Sequence, residues 1–194
     1  MVTILIFNIM IIFISIWSIW FISEILVNRL LRSGKNDLKY QDKGSIKIIW
    51  ITIGFANSLG VIISIFSNFH ISNLLILSYL GLILIMAGML IRFISIWSLG
   101  KLFTVDVTVR DNHKIKKDGA YKIIRHPSYF GSLLSFFGFG LSLNNWISLV
   151  IISIPVAVAM LYRIKIEEKL LIDQFGTDYL DYMKKSYRLV PWIY

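Results

Sequence analysis

Long apolar stretches separated by charged segments set the pattern of this chain. Residues 2–22 carry no charged side chain and are long enough to cross a hydrocarbon core of about 30 Å as one helix. A second uncharged run, 48–91, is too long for one crossing and is interrupted by a polar, turn-like cluster at 67–73. The pattern therefore predicts one membrane helix over 2–22 and two more over 46–66 and 74–98.

A third apolar run, at 127–162, predicts a helical hairpin. Asn144 and Asn145 divide it into pieces of about 15 and 17 residues, at or below the length of a usual membrane crossing. These helices are expected to be short, whether they cross fully, tilt or cross in part. The predicted fold is an all-α integral membrane protein with about five transmembrane helices. Residues 1–98 form a three-helix half, and 99–194 form a half with the hairpin and a C-terminal helix, in a single domain.

The composition supports a membrane protein. Of the 194 residues, 57% are hydrophobic and 16% are charged, and the mean hydropathy is +0.73. An ordinary soluble domain has roughly 25% charged residues, so this chain has too few polar side chains to cover a water-soluble fold. The absence of Cys excludes a disulfide framework, a Cys–zinc site and a cysteine nucleophile, and three scattered His make a metal site unexpected.

The distribution of charge predicts the orientation in the membrane. Segment 24–47 holds six basic and three acidic residues, 92–125 holds eight and three, and 163–194 holds six and five. The two connections at 67–73 and 144–145 carry no charge. By the positive-inside rule, five helices place the N-terminus outside and the C-terminus and the candidate active site on the cytoplasmic side. The net charge of +9 is thereby explained without nucleic acid.

Two segments carry the candidate chemistry, and the first precedes the hairpin. Alternating Val residues at 105–109 predict an extended stretch, and Pro127 marks a helix start. The plainer interpretation is a helix start at the interface, with Arg125 reaching lipid phosphate. In the functional interpretation, the exposed helix amides hold an anionic or polar ligand together with His126 and Tyr129.

The second segment follows the hairpin. Arg163 and Glu167 share one helix face. The plainer interpretation is a salt-bridged helix end. In the functional interpretation, Arg163 holds a carboxylate and Glu167 accepts hydrogen bonds from sugar hydroxyls or an ammonium group. Aromatic residues of the tail, 175–192, are interpreted as interfacial packing. The small residues Gly138 and Gly140, like Ala56 and Gly60, predict close helix packing rather than a dinucleotide loop.

The order of these motifs resembles the isoprenylcysteine carboxyl methyltransferase family over about residues 100–192. The residues that carry the resemblance are His113-x-Ile115, Gly119-x-Tyr121, Arg125-His126-Pro127-Ser128-Tyr129-x-Gly131, Arg163-x-x-x-Glu167-Glu168, Phe175-Gly176-x-x-Tyr179-x-x-Tyr182 and Arg188-x-x-Pro191. The resemblance implies a membrane methyltransferase that uses S-adenosyl-L-methionine without a Rossmann domain.

The resemblance also implies roles for single residues. Arg163 and Arg188 match arginines of the catalytic centre, Arg163 on the substrate side. The implied cofactor-binding residues are His113, Lys114, Ile115, Lys116, Tyr121, His126, Pro127, Ser128, Tyr129, Glu167 and Glu168. Lys116 departs from the family, which usually has an apolar residue there.

The implied acceptor is a lipophilic carboxylate such as an isoprenylcysteine, and its methylation is a direct displacement that needs alignment and the removal of water. Two alternatives stay open. A phospholipid amine N-methyltransferase would need Glu168 or a Tyr as a base. A small transporter or scaffold would be expected to show mid-membrane ionisable residues or inverted repeats, which are not evident in the sequence.

Overall fold

A computed structural model of the chain describes residues 2–31, 39–40, 44–100, 103, 108–109 and 115–191. Six α-helices dominate it: α1 (Val2–Leu30), α2 (Ser45–Phe66), α3 (Ile76–Leu99), α4 (Pro127–Ser142), α5 (Trp146–Phe175) and α6 (Thr177–Lys184). A two-residue strand β1 (Lys39–Tyr40) pairs antiparallel with β2 (Thr108–Val109), and a 3-10 turn covers Gly119–Lys122. The predicted helical membrane fold is confirmed, with this small ribbon added. His113 and Lys114 lie outside the described residues.

Within the described part of the chain, four helices are long and apolar enough to cross a membrane: α1, α2, α3 and α5. The fourth predicted membrane helix, α4, is present but has 16 residues. At 1.5 Å per residue it rises about 24 Å, which is less than a hydrocarbon core of about 30 Å. The hairpin of α4 and α5 turns at Asn144 and Asn145 as predicted, and the Asn145 side chain caps α5 by accepting from Ser148 N.

Two helices are longer than predicted. The first was expected to end at Ile22, but α1 continues to Leu30, because a charged residue such as Glu24 does not break a helix. The predicted short hairpin is wrong for α5, which has 30 residues and continues to Phe175. Gly176, with φ 54°, follows its last residue and starts the turn into α6. At 1.5 Å per residue, α5 rises about 45 Å and extends beyond a hydrocarbon core.

Small residues allow the helices to pack closely, as predicted. A methyl group added at Gly138 on α4 would lie 2.6 Å from the carbonyl oxygen of Gly81 on α3. A methyl group at Gly60 on α2 would lie 2.6 Å from Ile152 Cδ1 on α5, and Ser148 Oγ donates to Gly60 O at 2.7 Å. Helices of the two predicted halves therefore pack directly on one another.

The segment after α6 pairs with the segment before α4. Tyr187 N donates to Ile123 O at 2.9 Å, Arg125 N donates to Tyr187 O at 2.8 Å, and His126 N donates to Arg188 O at 3.2 Å. These bonds fix the C-terminal region against the start of α4. The two segments of candidate chemistry are thereby brought to the same end of the helix bundle.

Candidate functional site

One cavity lies where the start of α4 meets the middle of α5. Its volume is about 180 Å³. A water molecule needs only about 10–15 Å³ by the same measure, so the cavity has room for an organic molecule. Helices α1 to α5 all contribute to its wall, together with the 3-10 turn and α6.

The cavity wall changes character along the helices. Polar and aromatic residues come from the helix ends near the charged segments: Tyr121, His126, Tyr129, Glu167, Tyr179 and Tyr182. Apolar residues lie further along the helices, among them Ile53, Phe136 and Met160. Ile53 is eight residues into α2 and Phe136 nine residues into α4, which places them about 12–14 Å from the helix starts. The cavity therefore joins a polar region to an apolar one inside the bundle.

A chain of hydrogen bonds links Arg163 to Glu167 across the cavity wall. Arg163, which is 3% exposed, donates from Nε to Tyr129 Oη at 2.9 Å and from Nη1 to Ser45 Oγ at 2.5 Å. Tyr129 Oη then donates to Glu167 Oε2 at 3.0 Å. The connection between the two α5 residues thus passes through α4, which a salt-bridged helix end would not require.

Glu168 is the centre of a second, buried cluster. Its Oε1 lies 3.0 Å from Arg125 Nε and 3.3 Å from His126 Nε2, and its Oε2 lies 2.8 Å from Arg188 Nη2. Arg125 also donates to the carbonyl oxygens of Met183 and Ser186. Because its side chain is only 7% exposed, the interpretation that Arg125 reaches lipid phosphate is wrong. The cluster ties the start of α4 to α5 and to the tail.

His126 lies between Glu167 and Glu168 of α5. Its Nδ1 is 3.9 Å from Glu167 Oε1, and its Nε2 is the atom that faces Glu168. The ring is buried and lines the cavity. His126 therefore connects the open carboxylate of Glu167, whose side chain is 32% exposed, to the closed cluster behind it.

Three buried tyrosines form an aromatic part of the wall. Tyr182 Oη donates to the Tyr121 carbonyl at 2.5 Å, and Tyr121 Oη donates to the Ser95 carbonyl at 3.3 Å. Burial raises the pKa of Tyr182 to about 12, and burial together with the charge of Glu167 raises the pKa of Tyr121 further. Burial also raises the pKa of Tyr179. All three hydroxyls stay protonated at neutral pH. Tyr179 and Tyr182, for which the sequence predicted interfacial packing, are buried and line the cavity.

Most of the residues predicted for the site meet in this cavity. Those that line it are Ile115, Lys116, Tyr121, His126, Ser128, Tyr129, Arg163 and Glu167. Lys116 Nζ is held 2.7 Å from Asp118 Oδ1. Pro127 is the buried first residue of α4, and Glu168 and Arg188 lie in the cluster behind the wall rather than among its lining residues. The placement of His113 and Lys114 is outside the described part of the chain.

Sequence reasoning missed the contribution of α1 and α3. Glu24 and Asn28 from α1 and Arg92 from α3 line the cavity. Arg92 Nε lies 2.8 Å from Glu24 Oε1, and Arg92 Nη1 donates to Ser128 Oγ at 3.0 Å. The sequence did contain a sign of this contribution. Glu24 and Asn28 are four residues apart, which places two polar side chains on one face at the end of an otherwise apolar helix.

Comparison with known families and proteins gives a consistent result. The phospholipid methyltransferase family matches residues 76–178. A probable protein-S-isoprenylcysteine O-methyltransferase of Oryza sativa subsp. indica is 32% identical over 118 residues, 60% of this chain and 62% of that protein. Protein-S-isoprenylcysteine O-methyltransferase A of Arabidopsis thaliana is 34% identical over 118 residues, 60% of each chain.

The protein-S-isoprenylcysteine O-methyltransferase of Saccharomyces cerevisiae is 32% identical over 149 residues, 71% of this chain and 62% of that protein. The chain thus spans about 60% of the length of these relatives. A solved structure of the eukaryotic intramembrane Ras methyltransferase, an isoprenylcysteine carboxyl methyltransferase, aligns over 93% of this chain and 65% of that one. The TM-score is 0.67 at 22% identity, so this similarity concerns the fold.

Proposed function

The chain belongs to the phospholipid methyltransferase family, and we propose that it transfers a methyl group from S-adenosyl-L-methionine to the carboxylate of a lipophilic acceptor such as an isoprenylcysteine. The relatives named isoprenylcysteine O-methyltransferases support this choice of acceptor. The observation that carries the proposal is the hydrogen-bonded chain from Arg163 through Tyr129 to Glu167 in one cavity. This chain holds a cation that suits an acidic acceptor beside a carboxylate that suits the donor groups of the cofactor.

The residues on the Glu167 side fit the proposed cofactor. S-adenosyl-L-methionine carries a purine, two sugar hydroxyls and an ammonium group. The Glu167 side chain is 32% exposed and lines the cavity, so its carboxylate can accept hydrogen bonds from hydroxyl or ammonium donors. The buried rings of Tyr121, Tyr179 and Tyr182 provide flat apolar surface for a purine.

The residues on the Arg163 side fit an acceptor that is both acidic and apolar. A guanidinium can bind a carboxylate with two parallel hydrogen bonds, and burial strengthens that interaction. Deeper in the bundle, Ile53, Phe136 and Met160 offer apolar surface to a lipid tail. Tyr129 and Ser45 fix the guanidinium, so that it is oriented before the acceptor arrives.

The reaction needs positioning more than proton transfer. When bound, S-adenosyl-L-methionine supplies a methyl group on a positively charged sulfur, which leaves as a neutral thioether when the carboxylate oxygen has taken the methyl group. The acceptor carboxylate is already ionised at neutral pH, because its pKa is near 4, and no base is needed. Arg163 aligns the acceptor, and the apolar wall excludes water that would solvate the carboxylate.

We further propose that the cavity opens to the cytoplasmic side of the membrane. The segments that build its polar part, 92–125 and 163–194, hold 14 of the 20 basic residues. Such segments are retained on the cytoplasmic side. A water-soluble cofactor then enters from the cytoplasm, and the acceptor enters from the bilayer.

Methyl transfer by the purified protein tests the proposal. Protein in detergent micelles is mixed with methyl-labelled S-adenosyl-L-methionine and N-acetyl-S-farnesylcysteine, and the methyl ester is measured by mass spectrometry. A base-labile methyl ester is expected. The family description suggests a second acceptor class, so vesicles of phosphatidylethanolamine are tested in parallel. If the amine lipid is labelled and no methyl ester forms, the proposed acceptor is wrong and the acceptor group is an amine.

A further inference from the structure

A polar patch on the cavity wall is separate from the Arg163–Tyr129–Glu167 chain. It consists of Glu24 and Asn28 on α1, Arg92 on α3, and Ser128 and Ser132 on α4, all of which line the cavity. Each pair on α1 and α4 is spaced i, i+4, so each pair presents two side chains on one helix face. We call these five residues the α1–α3–α4 patch.

Arg92 holds the patch together. Its guanidinium lies 2.8 Å from Glu24 Oε1 and 3.0 Å from Ser128 Oγ, and the side chains of Arg92 and Glu24 are only 16% and 12% exposed. The positive charge of Arg92 and the negative charge of Glu24 balance each other, so the patch carries no net charge. An added cation or anion would meet one like charge at close range and lose its own hydration.

The patch nevertheless has unused hydrogen-bonding capacity. Within the patch, three buried atoms have no hydrogen-bond partner among the residues that the structure describes: Ser132 Oγ, Asn28 Oδ1 and Arg92 Nε, of which Arg92 Nε still lies at ion-pair distance from Glu24. Ser132 is 1% exposed, and its hydroxyl can donate or accept. A buried polar group without a partner costs about 1–3 kcal/mol, so a ligand that satisfies these atoms gains affinity.

The patch also adjoins the proposed acceptor site. Ser128 and Tyr129 are consecutive residues in the first turn of α4, and their side chains contact different helices. Tyr129 Oη accepts from Arg163 on α5, whereas Ser128 Oγ accepts from Arg92 on α3. The patch and Arg163 therefore flank the same helix start, within about one helix diameter of each other.

We propose that the α1–α3–α4 patch hydrogen-bonds a neutral amide of the acceptor, next to the carboxylate that Arg163 holds. An amide has one donor and one acceptor and no charge, which matches the free capacity of Asn28 and Ser132. This inference rests on the proposed carboxyl methylation. It assigns the recognition of the acceptor's polar part to α1, α3 and α4.

Three acceptors with the same farnesyl thioether and carboxylate test this assignment. N-acetyl-S-farnesylcysteine carries an amide, S-farnesyl-3-thiopropionate has none, and S-farnesylcysteine carries an ammonium group. The wild-type kcat/KM is expected to be about tenfold higher for the amide than for either other probe, since two hydrogen bonds of modest strength are gained. In Ser132→Ala and Asn28→Leu, this preference should fall toward unity, with little change for the amide-free probe.

Ser135→Ala is the matched control. Ser135 is also a buried serine of α4, but its hydroxyl donates to Ile85 O at 3.1 Å and it is not among the lining residues. This variant should keep the wild-type preference. Binding of S-adenosylhomocysteine, measured by calorimetry, confirms that each variant is folded.

The outcomes separate the two proposals. An equal fall in kcat/KM for all three acceptors, or an unchanged preference in both variants, would overturn the patch while methyl transfer itself persists. The assignment would also be overturned if the wild type preferred the ammonium probe and the variants lost that preference. The patch would then be a cation site. If no carboxylate acceptor is methylated by a protein that binds S-adenosylhomocysteine, the proposed function fails and the patch assignment fails with it.

Discussion

At the scale of single residues, the Tyr129 hydroxyl connects Arg163 and Glu167 of α5. Its hydroxyl accepts from Arg163 and donates to Glu167, so each charged group is oriented by the same phenol. Glu167 has the more exposed side chain, whereas Arg163 is almost fully buried. This difference suits a carboxylate that meets a polar cofactor and a guanidinium that meets an acceptor inside the bundle.

Replacing Glu167 by Gln should weaken cofactor binding. The neutral amide loses charge-assisted hydrogen bonds worth about 1.5–3 kcal/mol, which corresponds to roughly a 10- to 100-fold higher Kd for S-adenosylhomocysteine. Calorimetry on purified protein measures the change. The control is Asp173→Asn, which neutralises an exposed acid of the same helix and should leave Kd unchanged. Equal Kd for wild type and Glu167→Gln would show that the assigned role is wrong.

Replacing Arg163 should mainly affect turnover. Without the guanidinium the acceptor carboxylate is no longer aligned, and a fall in kcat of about 100-fold is expected for Arg163→Ala, with S-adenosylhomocysteine binding changed only slightly. Arg163→Lys keeps the charge and should recover part of the rate, because it lacks the two-pronged geometry of Arg. Steady-state kinetics with a farnesylated acceptor distinguish these variants. A large loss of cofactor affinity with unchanged kcat would contradict the assignment.

Several residues of the site could be predicted from sequence because their signals are local. Pro127 marked the start of α4, and the spacing of Arg163 and Glu167 placed both on one face of a helix. Glu24 and Arg92 were missed because contact between α1 and α3 is a property of the tertiary fold. The position of Glu168 at the centre of a buried ion-pair cluster could not be predicted either. Arg188 reaches Glu168 only because the tail pairs with the segment at the start of α4.

At the scale of helices, the contact of α3 with α4 depends on glycine. A Cβ at Gly138 would meet both the Gly81 carbonyl oxygen at 2.6 Å and Ile85 N at 2.8 Å, and these are backbone atoms that cannot rotate away. The close approach of α3 and α4 also positions Arg92 beside Ser128. The packing of these two helices is therefore linked to the geometry of the cavity.

Gly138→Ala should separate α3 from α4 and destabilise the protein by about 1–3 kcal/mol, the usual cost of an added group in a closely packed core. Thermal unfolding in detergent measures this as a lower Tm. Gly54→Ala is the control, because Gly54 is also helical and has no neighbouring atom within 4 Å of an added Cβ. Its Tm should stay the same or rise slightly, since Ala favours helix. Similar Tm values for both variants would argue against the tight contact.

At the scale of the whole molecule, the proposed orientation can be tested chemically because the chain has no native Cys. A single Cys at Asn73, exposed in the uncharged connection between α2 and α3, should react with a membrane-impermeant maleimide from outside intact cells. A single Cys at Lys185, exposed after α6, should react only after permeabilisation. The reverse pattern would place the cavity on the outer side of the membrane.

Because α5 is continuous from Trp146 to Phe175, the protein should tolerate substitutions in this helix better than insertions. Arg163 and Glu167 are four residues apart on one continuous helix, so the spacing between the groups proposed to hold the acceptor and the cofactor follows from the helical pitch and not from any loop. Inserting one alanine between them would advance Glu167 by about 1.5 Å and rotate it by about 100°, out of phase with Tyr129. Such an insertion should abolish methyl transfer while the preceding turns of α5 still pack on α2. Substitutions among the apolar cavity residues that precede Arg163 can therefore change which lipid tail fits. The four-residue spacing between Arg163 and Glu167, in contrast, cannot change without loss of the proposed activity.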